Sequence, residues 1–156
     1  MIDELIDAFQ DAWSGRVRFA FARSCAVDVH YEDPLCGLPL EGLDALGEHA
    51  ARLWTAFPDA RVESTGRRLH DGRYVAAPCK LVATHRGDLP RLPATGRFLV
   101  AHVVFYCELD ERRERLWRVR AFYDPYGAGV QLGLLPRRGT LGERALLMVR
   151  GFGFRA

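Results

Sequence analysis

The run Phe98–Leu109, FLVAHVVFYCEL, does most to limit what this chain can fold into. It is too short for a membrane span, which needs about 20 apolar residues. Its β-branched and aromatic residues suit a pleated strand. Alternate residues of a strand point to opposite faces, and here both alternate sets are apolar. Both faces of such a strand must be covered. Helices can cover one face, and a second subunit can cover the other.

The rest of the chain supplies those helices and further strands. Ile2, Leu5, Ile6, Phe9 and Trp13 recur at helical spacing, with Asp3 and Glu4 at the start of the helix, where its dipole favours acids. A second short helix is expected over Gly15–Ser24 and a strand over Ala26–Asp33. Asp33-Pro34 ends that strand. Leu43, Leu46, Ala50, Leu53, Trp54 and Phe57 form the stripe of a longer helix, stopped by Pro58. From there the period changes to two. Strands are expected over Ala60–Leu69, Arg73–His85, Phe98–Leu109 and Arg115–Asp124, with a hairpin turn at Asp71-Gly72. Gln131–Pro136 reads as a loop and Leu141–Val149 as a closing helix. Helices followed by antiparallel strands give an α+β fold with the helices on one face of the sheet.

At 156 residues the chain is expected to form one domain, residues 1–156. A chain of this length buries enough surface to need no metal or disulfide staple. The net charge of +2 gives no nucleic-acid footprint, and Lys80 is the only lysine. Cys25, Cys36, Cys79 and Cys107 contain no C-x-x-C pair, so no metal site is expected, and four free thiols fit a reducing cytoplasm. The acidic, amphipathic start is unlike a signal peptide.

The segment Arg118–Pro136, RVRAFYDPYGAGVQLGLLP, carries the most chemistry. Asp124 closes an apolar strand and shares a face with Phe122, Arg120 and Arg118. If the preceding hairpin has an even-numbered loop, Leu99, Ala101, Val103, Phe105 and Cys107 join that face. A carboxylate among apolar side chains beside an arginine can remove a proton next to a carbonyl. The bland alternatives are an ion pair between Asp124 and Arg120, or Asp124 capping the turn at Pro125. Trp13, Tyr31, Trp54 and Phe122 can line an aromatic pocket or simply pack a core. Asp33 either faces that pocket or bonds the loop that begins at Pro34.

Several pieces occur in an order that resembles the SnoaL-like polyketide cyclase family of the nuclear transport factor 2-like superfamily. They are Tyr31-Glu32-Asp33-Pro34, Ala56-Phe57-Pro58-Asp59, Thr84-His85-Arg86-Gly87, Pro93-Ala94-Thr95-Gly96-Arg97, and Asp124 followed by Gln131-Leu132-Gly133. The resemblance covers roughly Trp13 to Pro136. It implies a cone-shaped, strongly curved antiparallel sheet with helices at its mouth, commonly dimeric. It also implies an intramolecular aldol condensation without metal or organic cofactor, with Asp124 as acid and base. A histidine on the preceding strand contributes in such enzymes. His102 is the only histidine there, although an even hairpin loop turns it away from Asp124. His85 is the second candidate, through the T-H-x-G match. Its alternative is a strand-end histidine bonding a loop carbonyl.

No P-loop, G-x-G-x-x-G, H-E-x-x-H or G-x-S-x-G motif is present. Three functions stay open. The first is a cofactor-free acid–base enzyme acting on a hydrophobic small molecule, with Arg120 or a histidine steadying the enolate. The second is a water-activating, epoxide hydrolase-like enzyme using Asp124, Arg120 and Asp33. The third is a non-enzymatic binding or dimerisation module, favoured if the chain's own aromatics fill the cavity. Neither nucleic acid nor membrane is expected as a partner.

Overall fold

The structure is a computed structural model and describes residues 1–149. Helix α1 spans Ile2–Gly15 and a 3₁₀ helix spans Arg18–Arg23. Strand β1 (Cys25–Glu32) and the short β2 (Leu40–Glu41) lead to α2 (Leu43–Ala56). Strands β3 (Arg61–Ser64), β4 (Leu69–Asp71), β5 (Tyr74–Thr84), β6 (Phe98–Leu109) and β7 (Leu116–Phe122) follow. Helices α3 (Pro125–Gln131) and α4 (Leu141–Val149) close the described chain. Among the described residues no helix is long and apolar enough to cross a membrane.

The sheet order is β2-β1-β7-β6-β5-β3, with β4 paired to the outer part of β5. Neighbours are antiparallel except β1 and β7, which run parallel because the helices and the other strands intervene between them. The fold is the expected α+β one: an open, curved sheet with α1, α2 and the 3₁₀ helix on its concave face. Ile6 and Phe9 of α1, Phe21 of the 3₁₀ helix and Leu46 of α2 are fully buried there. They meet Val75, Ala77 and Cys79 of β5, Phe105 and Cys107 of β6, and Val119 of β7. Burying each large apolar side chain in this set contributes about 1.5–3 kcal/mol.

β6 alternates strictly between buried and open positions. Leu99, Ala101, Val103, Phe105 and Cys107 face inward, while Phe98, His102, Val104 and Tyr106 lie open on the convex face. The apolar outer set that the sequence shows is therefore uncovered in a single chain.

The register between β6 and β7 holds one surprise. Leu109 pairs with Leu116 across the six-residue turn Asp110–Arg115, so the loop is even-numbered. Trp117 is then an extra residue, so Glu108 pairs with Arg118, Tyr106 with Arg120 and Val104 with Phe122. This bulge reverses the facing of everything beyond it. Val119 and Ala121 turn inward, and Arg118, Arg120 and Phe122 turn outward. The reversal agrees with the chemistry, since it leaves two guanidinium groups in water and not in the core.

The motif segments clasp the wide end of the sheet. Asp59, just past α2, accepts hydrogen bonds from the backbone N–H and the hydroxyl of Thr84, both at 2.7 Å. The N–H groups of Arg86 and Gly87 donate to the carbonyl of Ala56 at 2.9 and 3.0 Å. Beyond Phe122, β6 has lost its β7 neighbour, and the Gln131 amide takes its place. It accepts from the N–H of Val100 and donates to its carbonyl, both at 2.9 Å. Leu132 then plugs against Leu99 and Ala101.

Candidate functional site

The concave side holds a polar cluster at the end of an aromatic interior. Tyr31 is the last inward-facing residue of β1, and Asp33 follows at the strand end. Asp33 Oδ1 accepts from the backbone N–H groups of Leu35 (2.7 Å) and Cys36 (3.2 Å), a turn that Pro34 prepares. Its Oδ2 accepts from the Tyr31 hydroxyl at 2.9 Å and lies 2.8 Å from Nε2 of His49 on α2. Cys36 Sγ lies 3.8 Å from the same Nε2. The Asp33 and His49 side chains are only 4% and 9% exposed.

These contacts fix protonation states. Burial works to raise the Asp33 pKa, but the hydrogen bond and charge of His49, with the bonds from Leu35 and Tyr31, hold it below the ordinary value. Burial and then the neighbouring Asp33 charge push the Tyr31 hydroxyl well above its ordinary pKa, so it remains a phenol and donates. An ionised carboxylate only accepts, so the proton between Asp33 and His49 sits on Nε2. Nδ1 is the ring nitrogen of His49 that points away from Asp33. Among the described residues Nδ1 has no hydrogen-bond partner. Burial pushes the Cys36 thiol up to about 11, with the Asp33 charge adding to it, so it is a poor nucleophile at neutral pH.

Aromatic rings surround the cluster. Trp13 packs against Tyr31 at 5.7 Å, against Trp54 at 6.5 Å and edge-on to His49 at 6.4 Å. The Trp54 indole N–H donates to the carbonyl of Trp13 at 2.8 Å, which ties α2 to α1. The Trp13 indole N–H is buried and has no partner. A buried donor without an acceptor costs about 1–3 kcal/mol. Burial and then the Asp33 charge also raise the pKa of Tyr123, which packs beside the cluster.

The residues singled out from sequence fall into two groups. Tyr31, Asp33, Trp13, Trp54 and Phe105 come together on the concave side, with Phe105 meeting Phe9 edge-on at 5.2 Å. Asp33 bonds the loop that begins at Pro34 through one oxygen, and its other oxygen meets Tyr31 and His49. Asp124, Arg120, Phe122 and His102 do not join them. The Asp124 side chain is 58% exposed, caps α3 by accepting from the Gly127 N–H at 3.0 Å, and lies 3.6 Å from Arg138. This is the turn-capping alternative, and the expected apolar surround is not there. Arg120 pairs with Glu32 on the convex face and not with Asp124. Phe122 is 56% exposed, so it lines no interior pocket. His102 lies open on the convex face opposite Lys80. His85 is fully buried in the clasp. Its Nδ1 accepts from the Thr95 N–H at 3.3 Å, and its ring lies 5.2 Å from that of Phe57.

His49, Cys36 and Tyr123 were not among the residues singled out. A signal for His49 was present, because it lies between Leu46 and Ala50 on the apolar stripe of α2. The polar hollow of about 410 Å³ lined by Asp3, Ser64, Gly66, Arg67, Arg68 and His70 lies elsewhere, beside the start of α1. Arg68 there is already neutralised by Asp3 and Asp7, and we assign that hollow no role.

The fold has many counterparts among solved structures. A candidate polyketide cyclase from Acidithiobacillus ferrooxidans is 25% identical, with a TM-score of 0.72 over 85% of this chain and 94% of that one. A candidate SnoaL-like polyketide cyclase from Jannaschia Sp. CCS1 is 16% identical, with a TM-score of 0.74 over 87% and 93%. A protein of ketosteroid isomerase-like fold from Catenulispora acidiphila, solved with trimethylamine, is 18% identical, with a TM-score of 0.71 over 84% and 93%. No curated protein matches the sequence. The family model for SnoaL-like polyketide cyclase matches residues 3–132, nearly the whole chain. This chain belongs to the SnoaL-like polyketide cyclase family.

Proposed function

We propose that the protein is a cofactor-free acid–base enzyme, a cyclase or isomerase for a hydrophobic carbonyl compound, and that His49 moves the proton. The observation that carries this reading is the pairing of an oriented imidazole with an orphaned donor. Asp33 holds His49 by Nε2, which fixes the tautomer and steadies the imidazolium formed when Nδ1 takes a proton. The Trp13 indole N–H, on a ring packed edge-on to His49, donates to the oxygen that becomes the enolate. His49 then returns the proton, to the new alkoxide oxygen after carbon–carbon bond formation in a cyclisation or to a different carbon in an isomerisation, and neither route changes the oxidation state. Asp124 is too exposed, and too fully engaged in capping α3, to serve as that base.

A thermal-shift screen against polycyclic aromatic ketones, steroids, terpenoid epoxides and fatty acids tests this reading. A ketone at 100 times its dissociation constant stabilises the native state by about 2.7 kcal/mol. Trp13→Phe keeps one aromatic ring at this position and removes the donor. It should lose most of that ketone shift while melting, without ligand, close to the wild type. An equal shift in Trp13→Phe contradicts the assignment of the donor.

One observation favours a second reading, a non-enzymatic module. Phe9, Trp13, Phe21 and Trp54 pack ring to ring at 5.2–6.5 Å across the concave interior. A ligand must displace some of these rings to enter. In either reading we propose a homodimer built on the convex sheet face, where Val104, Tyr106, Tyr74 and Phe122 lie open.

A further inference from the structure

Asp33, Cys36 and His49 bring three chemically different donor atoms to one point. One ligand atom from each, a carboxylate oxygen, a thiol sulfur and a ring nitrogen, lies within 4.8 Å of the other two. Nε2 is 2.8 Å from Oδ2 and 3.8 Å from Sγ. Ligands about 2.0–2.3 Å from a tetrahedral zinc ion stand roughly 3–4 Å apart, so the cluster needs only a small adjustment to surround one.

The supporting structure is already in place. Asp33 and Cys36 sit three residues apart in a turn closed by the Cys36 N–H on the Asp33 carbonyl at 3.0 Å, and His49 comes from α2. Asp33 is oriented by the Tyr31 hydroxyl on Oδ2 and by two backbone N–H groups on Oδ1. Outer partners of this kind fix a ligating carboxylate and support affinity.

We propose that Asp33 Oδ2, Cys36 Sγ and His49 Nε2 form a binding site for a divalent cation of the zinc class, with a fourth position open to water or a ligand. The donor set selects the metal class, because thiolate and imidazole disfavour magnesium and calcium. Three protein ligands and an open position differ from the closed four-ligand set of a structural site. A cation held by Nε2 and Oδ2 would take the place of the hydrogen bond between them, so the metal-bound state and the proton-moving state exclude each other. Occupancy is thus a way to switch the site off. The inference uses ligand geometry alone and stands whether or not His49 moves protons.

Titration of the chelator-treated full chain with Co²⁺, followed by absorption, tests it. The expected result is saturation at one equivalent, with a thiolate-to-cobalt charge-transfer band and the visible bands of a tetrahedral ion. Cys36→Ser should lose the charge-transfer band, and His49→Gln should lose saturation at one equivalent. Tyr31→Phe, which removes only the outer hydroxyl, should weaken binding about 10–100-fold. Cys25, Cys79 and Cys107 are buried in the core and serve as internal controls. No band at stoichiometric cobalt, or a band that survives in a folded Cys36→Ser chain, overturns the site. Neither outcome requires turnover, so failure here is separate from failure of the proton-transfer reading.

Discussion

Asp59 binds Thr84 twice: one carboxylate oxygen takes the Thr84 backbone N–H and the other takes its hydroxyl, each at 2.7 Å. This joins the end of α2 to the end of β5. Burial acts to raise the Asp59 pKa, but the two Thr84 bonds hold it below the ordinary value. A carboxyl whose folded pKa is depressed stabilises the native state above its unfolded pKa of about 3.9 and loses that contribution as pH falls through the folded value. Asp59→Asn should therefore melt below the wild type near neutral pH, and the gap should close as the pH drops under about 4. Melting curves across pH check this, and a gap that stays constant into acid contradicts it.

Gly87 permits the same clasp. A Cβ there would lie 1.9 Å from the carbonyl oxygen of Thr55, which is helix backbone and has little room to give. Gly87→Ala should destabilise the chain by about 3 kcal/mol or more in urea unfolding, at the upper end for overpacking. A cost below about 1 kcal/mol would show that the clasp is looser than described.

The convex face should decide the oligomeric state. Tyr106 stacks on Tyr74 at 6.1 Å and lies open beside Val104. Tyr106→Arg places a charge at the centre of that face, where desolvation without a partner is costly. Sedimentation should show the wild type as a dimer at micromolar concentration and Tyr106→Arg as a monomer. A wild-type monomer would contradict this use of the face.

The sequence carries the fold further than it carries the site. Helix stripes such as Ile2-Leu5-Ile6-Phe9 and the period-two run Phe98–Leu109 follow from burial, and each appears within a residue or two of its expected bounds. Gly15–Ser24 gave only a 3₁₀ helix, and the α3 turn over Pro125–Gln131 was not foreseen. The motif pieces marked the family but not their own roles. T-H-x-G and P-x-T-G-R meet through His85 and Thr95, and Gln131 closes the β6 edge. Asp124, Arg120, Phe122 and His102 lie apart from the cluster around Asp33, and for Arg120 and Phe122 the reason is the extra residue at Trp117. The hairpin loop is even-numbered, which by itself would face both inward, but a bulge turns them outward and leaves no mark in hydrophobic period. His49 was hidden differently, since a histidine on an apolar stripe reads as core until its partner Asp33 is known.

We propose His49, not Asp124, as the residue that moves the proton. The most direct measurement compares turnover of His49→Gln and Asp124→Asn on a ketone that stabilises the wild type, with both variants confirmed folded by thermal melting. His49→Gln is expected to lose at least about 10²-fold in rate, while Asp124→Asn stays within a few-fold of the wild type. Loss of turnover in Asp124→Asn, with His49→Gln retaining activity, would contradict it and return the proton to the end of β7.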